Sequence, residues 1–224
     1  VQSWKDIFPK KGEIHFAGAL ENNEDTGTLQ YLASTAMEVG FSTRVLDMQA
    51  LDLQNGRFFD PAGELVNRCF KLYPWEWMVD ESPDGCLAEM EWLEPIWKLV
   101  MSNKAILATL YELFPDSPYV LPCYLSRPRS GLFCKKPVFS REGHNVSVVD
   151  IRDWEEYVRI AETEGDYNTG AYVYQEYVEP TAYSGRYPVI GSWIIGGEAA
   201  GIGIRENRME VTDNLSEFVP HIIG

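Results

Sequence analysis

The chain has 224 residues, 45% of them hydrophobic and 24% charged, the composition of a folded globular protein with room for one large or two small domains. Its formal net charge of −15 argues against a nucleic-acid binder, whose binding domain is ordinarily basic. No apolar run approaches the roughly 18 to 20 residues that a membrane-spanning helix needs, so the sequence reads as a soluble, cytoplasmic protein that engages neither nucleic acid nor membrane.

Cys69, Cys86, Cys123 and Cys134 lack C-x-x-C spacing, and there are only three histidines, so reduced thiols are expected and a zinc site is not. The chain opens on Val1-Gln2-Ser3-Trp4 without the charged-then-apolar build of a signal peptide. That start gives the expectation that the chain is a piece of something longer.

Ile14 to Ala19 reads as a short strand, and Glu21-Asn22-Asn23-Glu24-Asp25 as a polar turn that caps a helix. The same acidic turn tempts toward a metal site, but carboxylates and asparagines in a first turn are favoured for capping alone. Leu29, Leu32, Ala33, Ala36 and Met37 recur at helical spacing until Gly40, and Phe41 to Met48 reads as the next strand. Residues 14–48 thus have the length of a strand-helix-strand crossover. Asn55-Gly56 and Pro61-Ala62-Gly63 are turns, and Val66 to Tyr73 is a further strand ended by Pro74. The cluster of Trp75, Trp77, Trp92 and Trp97 reads as packing.

Leu87 to Val100 has helical character, and Lys104 to Phe114 forms a helix capped by Ser102 or Asn103. Lys104 then falls in a first turn, where the macrodipole disfavours a cation unless an anion holds it. Ile151 to Ala161 reads as an amphipathic helix through Trp154, Val158 and Ile160, and Asp166 to Gly170 as a turn. Ala171 to Val178 alternates like a strand, and the Gly196-Gly197 pair between two apolar runs predicts a tight hairpin over 188–205. The organisation expected is an α/β layer over residues 1–100 and a mainly antiparallel, α+β part over 101–224.

One stretch stands apart. Leu132 to Phe139 and Asn145 to Val149 are β-rich runs around the polar turn Ser140-Arg141-Glu142-Gly143. Between Ser126 and Asn145 the basic residues Arg127, Arg129, Lys135, Lys136 and Arg141 face a single acid, Glu142. A basic island in an acidic protein points to an anionic ligand. A glycine at the tip lets backbone amides approach that ligand, although the spacing is neither a P-loop nor a dinucleotide fingerprint.

Six ordered motifs carry a resemblance: Lys-Leu-Tyr-Pro-Trp-Glu-Trp-Met at 71–78, Ser-Asn-Lys-Ala-Ile-Leu at 102–107, Lys-Pro-Val-Phe-Ser-Arg-Glu-Gly-His-Asn-Val at 136–146, Ile-Gly-Ser-Trp-Ile-Ile at 190–195, Ala-Gly-Ile-Gly-Ile-Arg-Glu at 200–206 and Phe-Val-Pro-His-Ile at 218–222. With them the chain resembles the glutathionylspermidine synthase family, and within it the stand-alone ligases that lack an amidase domain.

The resemblance implies an ATP-grasp fold, permuted and glutathione-synthetase-like, here incomplete at its N-terminus. It also implies ATP-dependent carboxylate–amine ligation of a peptide such as glutathione to an amine or polyamine. Carried over by motif, Lys104 and Lys136 contact ATP phosphates, with Ser140, Arg141 and Gly143 in the loop that closes over them. Gln175 and Glu176 fall where the family holds adenine and ribose, and Glu210 and Val211 where it touches the nucleotide again. Arg205 matches the arginine aimed at the reacting carboxylate. The family's Mg2+ ligands are expected in a segment before Val1, so these residues alone are not expected to turn over. The rival reading is a non-catalytic ATP-binding or interaction domain that keeps the ATP-grasp fold.

Overall fold

The structure is a computed structural model that describes residues 1–153, 157–167, 170–211 and 216–222. The chain divides into two compact units, Val1–Leu99 and Val100–Gly224.

The first unit is built on a parallel sheet. After α1 (Gln2–Ile7), β1 (Glu13–Gly18) pairs in parallel with β2 (Ser42–Asp47) through the crossover helix α2 (Asn23–Met37), as the spacing predicts. β1 is an inner strand, buried from Ile14 to Gly18, because neighbours on both sides and a helix over one face leave it little exposure to water. Helix α2 turns Leu29, Ala33 and Ala36 toward it, a spacing of three and four residues that forms one face. Phe16 and Leu29 are fully buried, and the Trp4 ring meets those of Phe16 and Phe70 edge-on at 5.5 and 6.2 Å.

The start of α2 settles the acidic turn. Asn22 is the N-cap, its Oδ1 accepting from the Glu24 amide at 2.9 Å, with Glu24 and Asp25 in the positive first turn.

β3 (Asp52–Gln54), β4 (Arg57–Phe59) and β5 (Leu65–Val66) make a small antiparallel sheet, turned by Asn55 and Gly56 at φ of 51° and 74°. β6 (Arg68–Leu72) returns to the parallel sheet beside β1, so the single strand expected from Val66 to Tyr73 is split between two sheets. Helices α3 (Trp75–Glu81) and α4 (Pro83–Cys86) follow, then β7 (Glu91–Leu93). The helical character expected over 87–100 is corrected in its first part, where Glu91–Leu93 pairs with β6 as a strand, and holds after Pro95, where a 3-10 turn, Ile96–Lys98, runs directly into an α-helix at Leu99. Trp75 is buried and packs edge-on against Trp92 at 5.7 Å, whereas Trp97 is exposed.

On β1, His15 is buried with its Nε2 3.8 Å from Glu13 and 3.9 Å from Asp60, and the Arg44 guanidinium bridges those two acids. Burial lowers the His15 pKa below its ordinary value, against the pull of the two carboxylates.

The second unit begins with α5 (Leu99–Ser102) and α6 (Ala105–Leu113) and continues as an antiparallel sheet in the order β11-β10-β9-β12-β8. Its strands are β8 (Cys123–Tyr124), β9 (Gly131–Pro137), β10 (Ser147–Ile151), β11 (Tyr157–Glu162) and β12 (Tyr172–Glu176). The helix expected over 151–161 is the second clear correction, because β11 pairs antiparallel with β10 instead. Val158 and Ile160 lie two apart, a spacing that serves one face of a strand, and both remain exposed. Trp154, which completed the helical pattern, lies outside the described residues, as do Asn168 and Thr169 of the turn expected over 166–170.

β13 (Tyr187–Ile195), β14 (Glu198–Asn207) and β15 (Glu217–Val219) form a further antiparallel sheet. Gly196 and Gly197, at φ of 63° and 86°, make its tight turn without Cβ strain. Among the described residues no helix is long and apolar enough to cross a membrane.

Candidate functional site

The sheet of the second unit has two faces, and the pleat decides which side chains reach each. On β9, Cys134 and Lys136 share one face; Cys134 stands opposite Val148 of β10 and Gln175 of β12, and Lys136 opposite Val173. Cys134, Lys136, Val148 and Gln175 form the floor of a cleft with a volume of about 410 Å³. That lies within the range of sites that take small ligands and cofactors, roughly 300 to 1,000 Å³.

Lys104 and Gly143 also line it, and Glu176, Glu210 and Val211 join from strand ends and loops. Seven of the ten residues singled out in the sequence thus line one cavity, although they come from separate stretches of chain.

The lysines are positioned differently. Lys136 is half-buried, and its Nζ donates to Gln175 Oε1 at 2.7 Å, a diagonal pair across β9 and β12. Lys104 is the N-cap residue of α6, with its amide donating to Val138 at 2.8 Å. The side-chain cap comes from Asn103, whose Oδ1 accepts from the Ala105 amide at 2.9 Å. The Lys104 ammonium, awkward at a positive helix end, donates to the carbonyl and hydroxyl of Ser140 at 2.6 and 3.0 Å. Ser140 therefore sits behind the lysine, outside the cleft wall.

The loop between β9 and β10 carries Glu142, Gly143 and Asn145 at φ of 55°, 74° and 54°. Three left-handed residues so close together need outside support. Thr163 donates to the Gly143 carbonyl, and Asn145 Oδ1 accepts from the Tyr167 amide at 2.7 Å. Arg141 is exposed, its carbonyl accepting from His144, and does not line the cleft.

Several lining residues went unnoticed in the sequence: Leu121, Cys134, Val146, Val148, Val178 and Pro180 supply apolar walls. Alternation gives a usable signal for Cys134 and for one further lining residue, Tyr177, since Cys134 stands two before Lys136 and Tyr177 two after Gln175. Tyr177 donates to Glu210 Oε2 at 2.6 Å, and burial together with this carboxylate raises its pKa well above the usual phenol value. Burial likewise raises the Cys134 thiol, partly offset by Lys136, so it is a wall and not a nucleophile.

Arg205 is placed elsewhere. It lies on β14 opposite Val189 and Phe218, its guanidinium 5.8 Å from the Phe218 ring centre, and it does not line the cleft. His221 is exposed. Among the described residues no group of three or more His, Cys, Asp or Glu side chains is placed to hold a metal ion.

The Haemophilus influenzae protein named "Putative acid--amine ligase" is 34% identical over 221 residues, covering 94% of this chain and 56% of its own. Trypanothione synthetase of Crithidia fasciculata is 28% identical over 236 residues, covering 92% of this chain and 35% of its own. The bifunctional glutathionylspermidine synthetase/amidase of Escherichia coli is 26% identical over 232 residues, covering 89% and 36%. The chain therefore spans about half the length of the first relative and little more than a third of the other two. The model of the glutathionylspermidine synthase preATP-grasp family matches residues 1–224, and the chain belongs to that family.

Proposed function

We propose that the second unit binds ATP in the cleft described above, and that the protein serves as an ATP-dependent carboxylate–amine ligase. The observation that carries this reading is that Lys104, Lys136 and Gly143 line one cavity together with apolar side chains such as Leu121, Val146 and Val148. Two ammonium groups and a glycine-bearing loop suit a polyphosphate, and the valines, Leu121 and Cys134 suit a base. Gln175, Glu176, Glu210 and Val211 then attend the adenosine. The fold proposed is a permuted, glutathione-synthetase-like ATP-grasp, consistent with the mixed α/β architecture and with the family.

A carboxylate is a poor acyl donor. In the proposed reaction the γ-phosphoryl group passes to the carboxylate oxygen, ADP leaves, and the amine attacks the acyl phosphate to release inorganic phosphate. Phosphoryl transfer asks chiefly for positioning and charge neutralisation, which the two lysines supply. Arg205 is proposed to meet the carboxylate, where a planar, always-charged fork outperforms a lysine. A bound magnesium ion would add to the neutralisation of charge on the transferring phosphoryl group that the two lysines provide. The substrates proposed are a peptide carboxylate such as glutathione and an amine or polyamine, by analogy with the activities named for the relatives.

Isothermal titration of ATP with magnesium, followed by an assay for amine-dependent ADP release on the full-length protein, tests the proposal. Saturable binding and release that requires both a carboxylate and an amine are expected. ATP binding without release across a panel of amines and peptides would favour a non-catalytic ATP-binding domain, and absence of binding would remove both readings.

A further inference from the structure

The basic island of the sequence does not go to the cleft as a whole. Successive side chains of a strand project to opposite faces, so Lys135 leaves the sheet on the side away from Lys136. There it stands opposite Tyr174 and, with Arg127, Tyr157, Val149 and Ile151, lines a separate cavity of about 80 Å³. A water molecule's share of liquid volume is about 30 Å³. The space therefore admits one compact group and not a nucleotide.

Its chemistry is one-sided. None of the six lining residues is acidic. The Arg127 guanidinium lies 5.0 Å from the Tyr157 ring centre, and its Nη2 donates to the Asp153 carbonyl at 2.9 Å. Its Nε is buried and, among the described residues, has no hydrogen-bond partner. Lys135 holds its ammonium 4.0 Å from the Tyr172 ring centre. Aromatic faces partly compensate the two cations, but a buried guanidinium N–H left unpaired is a standing cost that an acceptor would relieve. Nearby Glu162 is engaged with Ser147 and Arg159 and does not line the cavity.

We propose that this cavity is a site for a compact oxyanion, a carboxylate or phosphate group held by Arg127 and Lys135 on the reverse of the sheet that forms the cleft. The fit is to a terminal charged group, with the tyrosine rings flanking the stem that carries it. The site stands on its own geometry and does not require that the cleft bind ATP.

Titration of the isotope-labelled chain with inorganic phosphate and, separately, acetate, followed by amide NMR shifts, tests it. Saturable shifts are expected at Val149, Ile151 and Tyr174, unchanged in Lys136→Ala, and the tighter of the two probes identifies the anion class. Arg127→Gln and Lys135→Gln should each weaken that binding at least tenfold. If Arg127→Gln loses its native spectrum, Lys135→Gln carries the comparison, and the wild-type shifts stand in either case. The proposal is overturned if neither probe moves these residues, or if the shifts vanish in Lys136→Ala and persist in both glutamine variants, which would put the anion in the cleft alone.

Discussion

Lys136 and Gln175 are joined by a 2.7 Å hydrogen bond although neither is the other's direct partner in the sheet, Lys136 standing opposite Val173 and Gln175 opposite Cys134. A long side chain spans that diagonal readily. The amide oxygen fixes where the ammonium sits without neutralising it, leaving the charge available to an anion. Lys136→Ala is expected to weaken ATP binding at least tenfold, about 1.4 kcal/mol, while Gln175→Ala has a smaller effect because the charge remains. Calorimetric titration of both variants checks the order.

Gly143 holds a φ of 74° beside two other left-handed residues. Gly143→Val places a branched Cβ in that conformation, at a cost of about 1 to 2 kcal/mol. Weaker ATP binding is expected, with a fall in melting temperature of no more than the several degrees that this strain accounts for. Equal loss of both would mean that the loop serves the fold and not the ligand.

Asn22 caps α2 through one hydrogen bond to the Glu24 amide. Asn22→Ala is expected to cost about 1 kcal/mol in denaturant unfolding and to leave nucleotide affinity unchanged. A change in affinity would return this turn to consideration as a ligand site.

The buried His15 gives the first unit a definite response to acid. Its folded-state pKa is below the ordinary value of 6.5, so as pH falls through that value the unfolded chain takes up a proton that the folded one resists. Stability should therefore decline as pH falls below the ordinary histidine value. His15→Leu, which cannot titrate, should show a flatter profile over the same interval. Asp60, held below the usual carboxylate range first by the Glu64 amide and then by that of Ala62 and by Arg44, loses its contribution only at lower pH. Denaturant midpoints at a series of pH values separate the two.

How far the sequence could be read depended on which period its apolar residues served. β1, α2 and β2 were legible because Leu29, Ala33 and Ala36 repeat at helical spacing between two short apolar runs. The β13–β14 hairpin was legible because Gly196-Gly197 permits few turns. Residues 151–161 misled because Val158 and Ile160 are exposed and only pairing with β10 fixes their state. In the site, the lysines and Gly143 were found through motifs, whereas the apolar walls were not. Leu121, Val148 and Pro180 come to line one cavity only when distant stretches are brought together. Arg205, also found through a motif, is not among the residues that line the cavity.

The adjacent lysines of β9 tie the strand's length to its chemistry. Inserting one residue just before Lys135 would exchange the destinations of the two ammonium groups, sending each to the compartment now served by the other. Inserting two would restore both. Evolutionary or engineered changes in this segment should accordingly survive in even steps and fail in odd ones.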